Sequence, residues 1–178
     1  MDDLSRFTVA DIERMAMERK LPPVDRWNPS HCGHSRMRIA RDGTWFHEGR
    51  PIERKAMVRL FASILRREPD GSHVLVTPAE KLAIDVEDAP FVAVEVKSEG
   101  EGPDRSLAFR LNTDDLVVAG PHHSVRLTSR PYLGVRLGLD ALIARPVYYE
   151  LVEIALAEAG ETPGLWSGGV FFPLELEE

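Results

Sequence analysis

The sequence predicts an α+β protein made of two related sheet-plus-helix halves, with mostly antiparallel strands. Three observations lead there. Short apolar runs of period 2 fill most of the chain, the pattern of strands that bury one face and wet the other. Two stretches, 51–67 and 146–159, carry apolar residues at helical spacing. The order strand, Arg-Pro, helix, Pro/Gly turn, strand occurs twice, starting at Arg50-Pro51-Ile52 and again at Arg145-Pro146-Val147, an offset of 95 residues. A length of 178 residues suits one ordinary domain or two small ones. We divide it at 1–78 and 79–178. Neither half is large, so the two are expected to share buried surface and to form a cleft.

Each element has a local reason. Thr8 is placed to cap a helix over 9–20, with Asp11 in the first turn and Ile12, Met15 and Met17 on its apolar side; Leu21-Pro22-Pro23 ends it. Residues 27–34 read as irregular. Met37 and Ile39 alternate with Arg36 and Arg38 as a half-buried strand. Asp42-Gly43 suits a two-residue turn with both positions at positive φ, and 44–47 returns with Trp45 and His47 on one face. The helix at 51–67 is the clearest element. Met57, Leu60, Phe61, Ile64 and Leu65 form its apolar stripe, Lys55, Arg59 and Arg66 its wet side, and Pro69-Asp70-Gly71 its stop.

Strands follow at 73–77, 82–87, 92–97, 107–111, 124–127 and 133–140. Val92, Val94 and Val96 share one face of theirs; Leu133, Val135, Leu137 and Leu139 share one face of another. Turn-forming stretches at 100–104, 112–115 and Gly120-Pro121 separate several of them. The last helix, 146–159, turns Val147, Leu151, Val152 and Ala155 inward, with Gly160 to end it, and a strand at 168–174 closes the chain.

Composition removes several functions. Lys+Arg number 22 against 29 Asp+Glu, a net charge of −7, which disfavours a nucleic-acid or anionic-membrane binder. One cysteine, Cys32, rules out an intramolecular disulfide and an all-thiolate zinc site. The acidic start, Met1-Asp2-Asp3, is not a secretory signal, and the longest uncharged apolar runs, such as 116–119, are far below a membrane span. The expected location is the cytoplasm, with Cys32 reduced.

The residues offer several candidate constellations. His31-Cys32-Gly33-His34 places a thiol between imidazoles, as a nucleophile or metal foothold needs, yet a packed cysteine at a strand entry explains it as well. His122-His123 sits in a turn without the convergent partners of a metal site. Asp85, Glu87 and Asp88 read as the wet face of a strand, with no calcium-loop spacing. No phosphate loop, nucleophile elbow or metalloprotease motif is present. The basic set Arg50, Arg54, Lys55, Arg59, Arg66 and Arg67 concentrates positive charge in an acidic chain, either as a solvated helix face or as an anion site. Trp45, His47 and Arg54 offer an aromatic, a titratable group and a cation close in sequence, and core packing beside a surface ion pair would give the same pattern.

One ordered set of motifs goes further. Cys32-Gly33, Asp42-Gly43-x-Trp45, Gly49-x-Pro51-Ile52-x-Arg54, Val58-x-Leu60-Phe61, Thr77-Pro78-x-Glu80-Lys81, Val86-Glu87-Asp88-Ala89-Pro90-Phe91 and Arg130-Pro131-Tyr132-Leu133-x-Val135-Arg136 together resemble an uncharacterised bacterial family, domain of unknown function 1285. The resemblance covers about 27–159. It implies a duplicated core, a pleckstrin-homology-like second half, a nucleotide-like ligand between the halves and a role in signal transduction. It supplies no catalytic residues.

The leading expectation is therefore a non-catalytic ligand-binding module without cofactor or metal. Trp45, His47, Arg54, Glu80, Tyr132 and Arg136 line its site, the arginines neutralising phosphate and the aromatics stacking. The alternatives are a small hydrolase using Cys32 with His34 or His31, and a protein-interaction module whose sheet edges accept a partner's strand.

Overall fold

The computed structural model of the chain describes residues 3–158 and 160–175. The described residues form three α-helices, α1 (Val9–Glu18), α2 (Lys55–Ser63) and α3 (Arg145–Ala157). Contacts divide the chain into two units. The first comprises Lys20–Pro90 with Leu137–Leu139, and the second Met1–Arg19, Phe91–Arg136 and Asp140–Glu178.

The first unit is a six-stranded sheet of β1 (His31–Ile39), β2 (Trp45–His47), β3 (Arg50–Pro51), β4 (Leu65–Arg67), β5 (His73–Val76) and β6 (Glu80–Val86), in the order β3-β2-β1-β6-β5-β4. Neighbours are antiparallel except β1 and β6, which run parallel at the centre. The boundary expected at 78/79 is thereby corrected to 90/91: β6 is hydrogen-bonded between β1 and β5, so the first unit cannot end before it. Ile39, Trp45, Ala62, Leu65, Leu75 and Ile84 are buried in this unit. Trp45 stacks on Phe61 with ring centroids 6.5 Å apart and planes 19° from parallel.

Four local expectations change here. The helix expected at 51–67 is only α2, because strand pairing claims both of its ends: Pro51 pairs with Phe46, and Leu65 with Leu75. Leu60, expected inward, is 63% exposed. The β1–β2 loop is three residues, 41–43, rather than two. Ala40 N–H donates to Thr44 O at 2.9 Å, and of the pair Asp42-Gly43 only Gly43 has positive φ, at 89°. Finally, β1 starts at His31, inside the stretch read as irregular, because pairing of His31 with Glu80 and of Cys32 with Lys81 sustains extended backbone where the sequence shows no alternation.

The second unit holds β7 (Phe91–Glu99), β8 (Ser106–Leu111), β9 (Leu116–Val118), β10 (Val125–Arg126), β11 (Tyr132–Arg136) and β12 (Leu139–Ile143), in the order β10-β11-β12-β7-β8-β9 with β7 and β12 parallel. Each sheet is thus two three-stranded runs whose first and last strands meet, in parallel, in the middle. This shared topology makes the halves alike, and it does not follow the 95-residue offset. Helix α2 lies between the third and fourth strands of its sheet, whereas α3 follows the sixth strand of its own, and the two Arg-Pro pairs are not equivalent: Arg50-Pro51 is strand β3, while Arg145-Pro146 opens α3.

The run expected at 133–140 is split into β11 and β12, because Leu137 and Gly138 take φ of 45° and 79° and make a two-residue turn. In β7 the register with β8 passes from Ala93↔Leu111 to Glu95↔Arg110, a one-residue bulge that leaves Val94 exposed, away from the shared face expected for it. The closing strand becomes a hairpin, β13 (Gly164–Ser167) with β14 (Val170–Pro173), turned by Gly168-Gly169. Buried Ser167 ties it to the sheet, accepting from Leu107 N–H at 2.9 Å and donating to Ala119 O at 2.8 Å. Helix α1 has the expected cap, with Thr8 and Asp11 forming a reciprocal capping box. Helix α3 buries Val147, Leu151 and Ala155, and Ala159, its expected last residue, lies outside the described residues. Among the described residues no helix is long and apolar enough to cross a membrane.

Three stability measurements check this packing. Trp45→Ala is expected to cost about 3–5 kcal/mol in urea unfolding, as for other buried aromatics. Gly164→Ala should cost about 1–3 kcal/mol: a Cβ there meets the Phe171 ring and comes within 2.6 Å of Phe172 O, with no room to yield. Arg105, buried in the second unit, hydrogen-bonds Ser98 Oγ and Glu158 Oε1. The Arg105 hydrogen bond holds the Glu158 carboxyl below its ordinary value of 4.5. Its contribution is therefore present above that value and lost as pH falls through the lower folded one. Glu158→Gln should flatten the acid limb of stability against pH and leave its shape near neutrality unchanged.

Candidate functional site

The candidate site lies in the first unit, where two backbone irregularities meet. β2 and β3 are joined at Glu48-Gly49, with φ of 50° and 80°. Glycine takes this conformation freely, and glutamate does not. Beside it β1 carries an insertion. Its register with β6 passes from His34↔Ala83 to Arg38↔Asp85, so four steps along β1 face two along β6. The extra length bows out around Ser35 and Arg36, and Arg36 takes φ of 58°.

Side chains hold this bow in place. Ser35 Oγ donates to Ala83 O at 2.8 Å and accepts from Met37 N–H at 3.1 Å. His34 Nδ1 accepts from Arg36 N–H at 2.8 Å. The two irregularities also bind each other. Glu48 N–H donates to Arg36 O at 3.0 Å, and Arg36 Nη1 lies 3.5 Å from Glu48 Oε1. Two non-glycine residues in the left-handed region thus sit face to face, each at a backbone cost of about 1–2 kcal/mol. Strain of this kind concentrates at functional sites.

Against this corner lies a groove of about 610 Å³ lined by His47, Glu48, Arg50, Pro51 and Ile52. Arg50 offers a permanently charged planar fork, suited to phosphate or carboxylate. The imidazole of His47 can donate or accept. Glu48 is engaged by Arg36, so its negative charge is partly answered before any ligand arrives.

The structure distributes the expected site residues as follows. His47 lines the groove. Trp45 does not: it is 1% exposed and stacked on Phe61, a core side chain rather than a binding platform, with its Nε1–H buried and unpartnered. Arg54 is exposed at the N-cap of α2, its carbonyl accepting from Met57 and Val58 N–H. Glu80 stands apart. It pairs with His31 at the start of β1, its Oε2 3.9 Å from His31 Nε2, whereas His47 pairs with Met37 near the far end of that strand. Tyr132 and Arg136 belong to the second unit. There the Arg126 guanidinium lies 5.1 Å from the Tyr132 ring centre and also bonds Asp140 at 2.7 Å. The Arg136 guanidinium lies 5.2 Å from the centre of Phe91, and burial draws it below the ordinary guanidinium value.

The groove residues Glu48, Pro51 and Ile52, and Arg36 beside them, were not visible as candidates. The signal that points toward them is Glu48-Gly49 between extended residues, a pair suited to a tight turn at positive φ.

The Cys32 arrangement does not assemble a nucleophile and base. Cys32 is exposed, and its Sγ points to Ser30 O at 3.8 Å. His34 uses Nδ1 on Arg36 N–H, and its Nε2 lies 3.5 Å from Asp85 Oδ1. His31 turns its Nε2 toward Glu80. Among the described residues no group of three or more His, Cys, Asp or Glu side chains is placed to hold a metal ion.

Comparison with known proteins agrees with this two-part architecture. Residues 22–89 match the model described as "Domain of unknown function (DUF1285), N-terminal domain", and residues 90–174 match "Protein of unknown function (DUF1285), C-terminal domain". The seam between the models coincides with the seam between the sheets. A crystal structure of a DUF1285 family protein from Silicibacter pomeroyi DSS-3 is 46% identical, with 92% of this chain and 93% of that chain covered at a TM-score of 0.81. A second, from Shewanella baltica OS155, is 30% identical over 66% of this chain and 90% of that chain, at a TM-score of 0.53. Among curated proteins none matches. With both halves matched by its models and a close structural relative along nearly the whole length, the chain belongs to the DUF1285 family.

Proposed function

We propose that the chain is a non-catalytic, cytoplasmic binding module for a small phosphate-bearing molecule of the nucleotide kind, seated in the β2–β3 groove. The observation that carries this reading is the groove itself, which sets Arg50 and His47 beside the strained Arg36–Glu48 contact. Arg50 grips the anion, His47 hydrogen-bonds or stacks beside it, and Arg54, at the head of α2, adds a second positive charge nearby in the chain. The engagement of His34 with Arg36 and Asp85, and of His31 with Glu80, favours binding over thiol chemistry. A module of this kind reports a ligand rather than transforming it, in keeping with the signalling role that the family resemblance implies.

Thermal unfolding against a panel of nucleotides tests this. At 100 times Kd a ligand adds about 2.7 kcal/mol, which for a chain of this size is a rise of roughly 5–10 °C in Tm. Arg50→Ala and His47→Ala should fold normally and lose most of that rise. If no nucleotide raises Tm, or if Arg50→Ala responds as the unmodified protein does, the reading fails.

A further inference from the structure

Residues 3–19 lie outside both family models, the first of which begins at residue 22. They also join the second unit rather than the first unit that follows them in the chain. Their seat is built in detail. The bulge at Val94 reverses the facing of β7, so that Glu95, Lys97 and Glu99 turn to the side opposite Phe91 and Ala93. Those three side chains then bind backbone. Glu95 Oε1 accepts from Leu4 N–H at 3.0 Å, and Glu99 Oε1 accepts from Val9 N–H at 3.1 Å. Lys97 Nζ donates to Phe7 O, and to Leu4 O at 3.4 Å. Between them Leu4, Val9 and Ile12 pack on Ala108, flanked by Phe7, Met15, Leu116 and Val118. At the far end Arg19 pairs with buried Asp115.

This face therefore recognises an amphipathic helix by its apolar stripe and by the backbone at its start, and main-chain recognition does not demand one particular sequence. The segment reaches its seat from a short tether, 20–23, that contains Pro22-Pro23. We propose that the outer face of β7–β8–β9 is a helix-docking surface and that residues 3–19 are its resident, exchangeable ligand, so that the same segment of a second copy can take the seat. An exchanged segment repeats every contact and changes only the tether. This proposal is independent of the ligand groove.

The test uses the full chain carrying Ile12→Asp, which places a carboxylate in the apolar seat and releases the resident segment, with a fluorescent peptide of residues 1–20 as probe. The peptide should bind this variant, and adding Lys97→Glu should weaken binding at least tenfold. The unmodified chain should bind the peptide roughly 100- to 1000-fold more weakly, because its tethered segment competes at an effective concentration of about a millimolar. Hydrogen exchange on the unmodified chain is the second readout: α1 amides should exchange through an opening that leaves β7 and β8 protected. The proposal is overturned if the folded variant ignores the peptide, if Lys97→Glu makes no difference, or if the variant fails to fold. It is equally overturned if α1 exchanges only together with β7 and β8, since the segment is then an inseparable part of the core.

Discussion

Both halves depend on one pairing: the first and last strands of each sheet lie side by side and parallel. Parallel neighbours cannot be joined by a tight turn, and the connection here is four further strands. In the first unit Ile39 meets Val86 only after the chain has crossed from one rim of the sheet to the other. That crossing is what α2 does, running between β3 at one rim and β4 at the other. The second sheet makes the same crossing with the segment between β9 and β10. Because the central pair joins the first strand of each sheet to its last, each sheet is held by contacts between residues distant in sequence, and its first strand is gripped from both sides.

The grip on the first strand explains how an irregularity can sit there and stay ordered. β1 and β7 occupy the same place in their sheets, and each carries a register shift, with different counts and different results. Two additional residues in β1 preserve the alternation of faces, so the strand bows outward and then resumes with Ile39 still in the core. One additional residue in β7 inverts the alternation, so Phe91 and Ala93 are core residues while Glu95, Lys97 and Glu99 serve the opposite face. The bow in β1 puts Arg36 against Glu48 beside the groove. The inversion in β7 makes the row that receives the N-terminal segment. A defect of one residue or of two, at one topological position, gives the halves their different surfaces.

That same arithmetic sets what could be read from the sequence. Alternation in residues 82–86, 107–111 and 133–136 revealed strands, the Thr8–Asp11 pair revealed a helix cap, and the ordered motifs revealed the family. The bow in β1 was hidden because an even insertion leaves the period-2 pattern of Met37 and Ile39 intact. The bulge in β7 was hidden because Val94 is apolar like Val92 and Val96, so nothing marked the residue that left the row. The helical stripe ending in Ile64 and Leu65 ran on into a strand, since tertiary pairing with β5 outweighs a pattern that suits either state. Trp45 was legible as an aromatic on a hairpin, yet its burial followed from Phe61 in a distant element. The groove residues lie in one short stretch, 47–52, around an irregular turn that has no periodicity to read, and the contact with Arg36 forms only in three dimensions.

The outermost strand of the first sheet has its own consequence. β3 is two residues long, and one of them is Pro51, which brings no N–H to the rim. A foreign strand arriving there finds no ladder to extend, and the opposite rim, β4, is only three residues long and carries Arg66 and Arg67. Both rims of this sheet are therefore poor templates for adding a further strand by backbone hydrogen bonds.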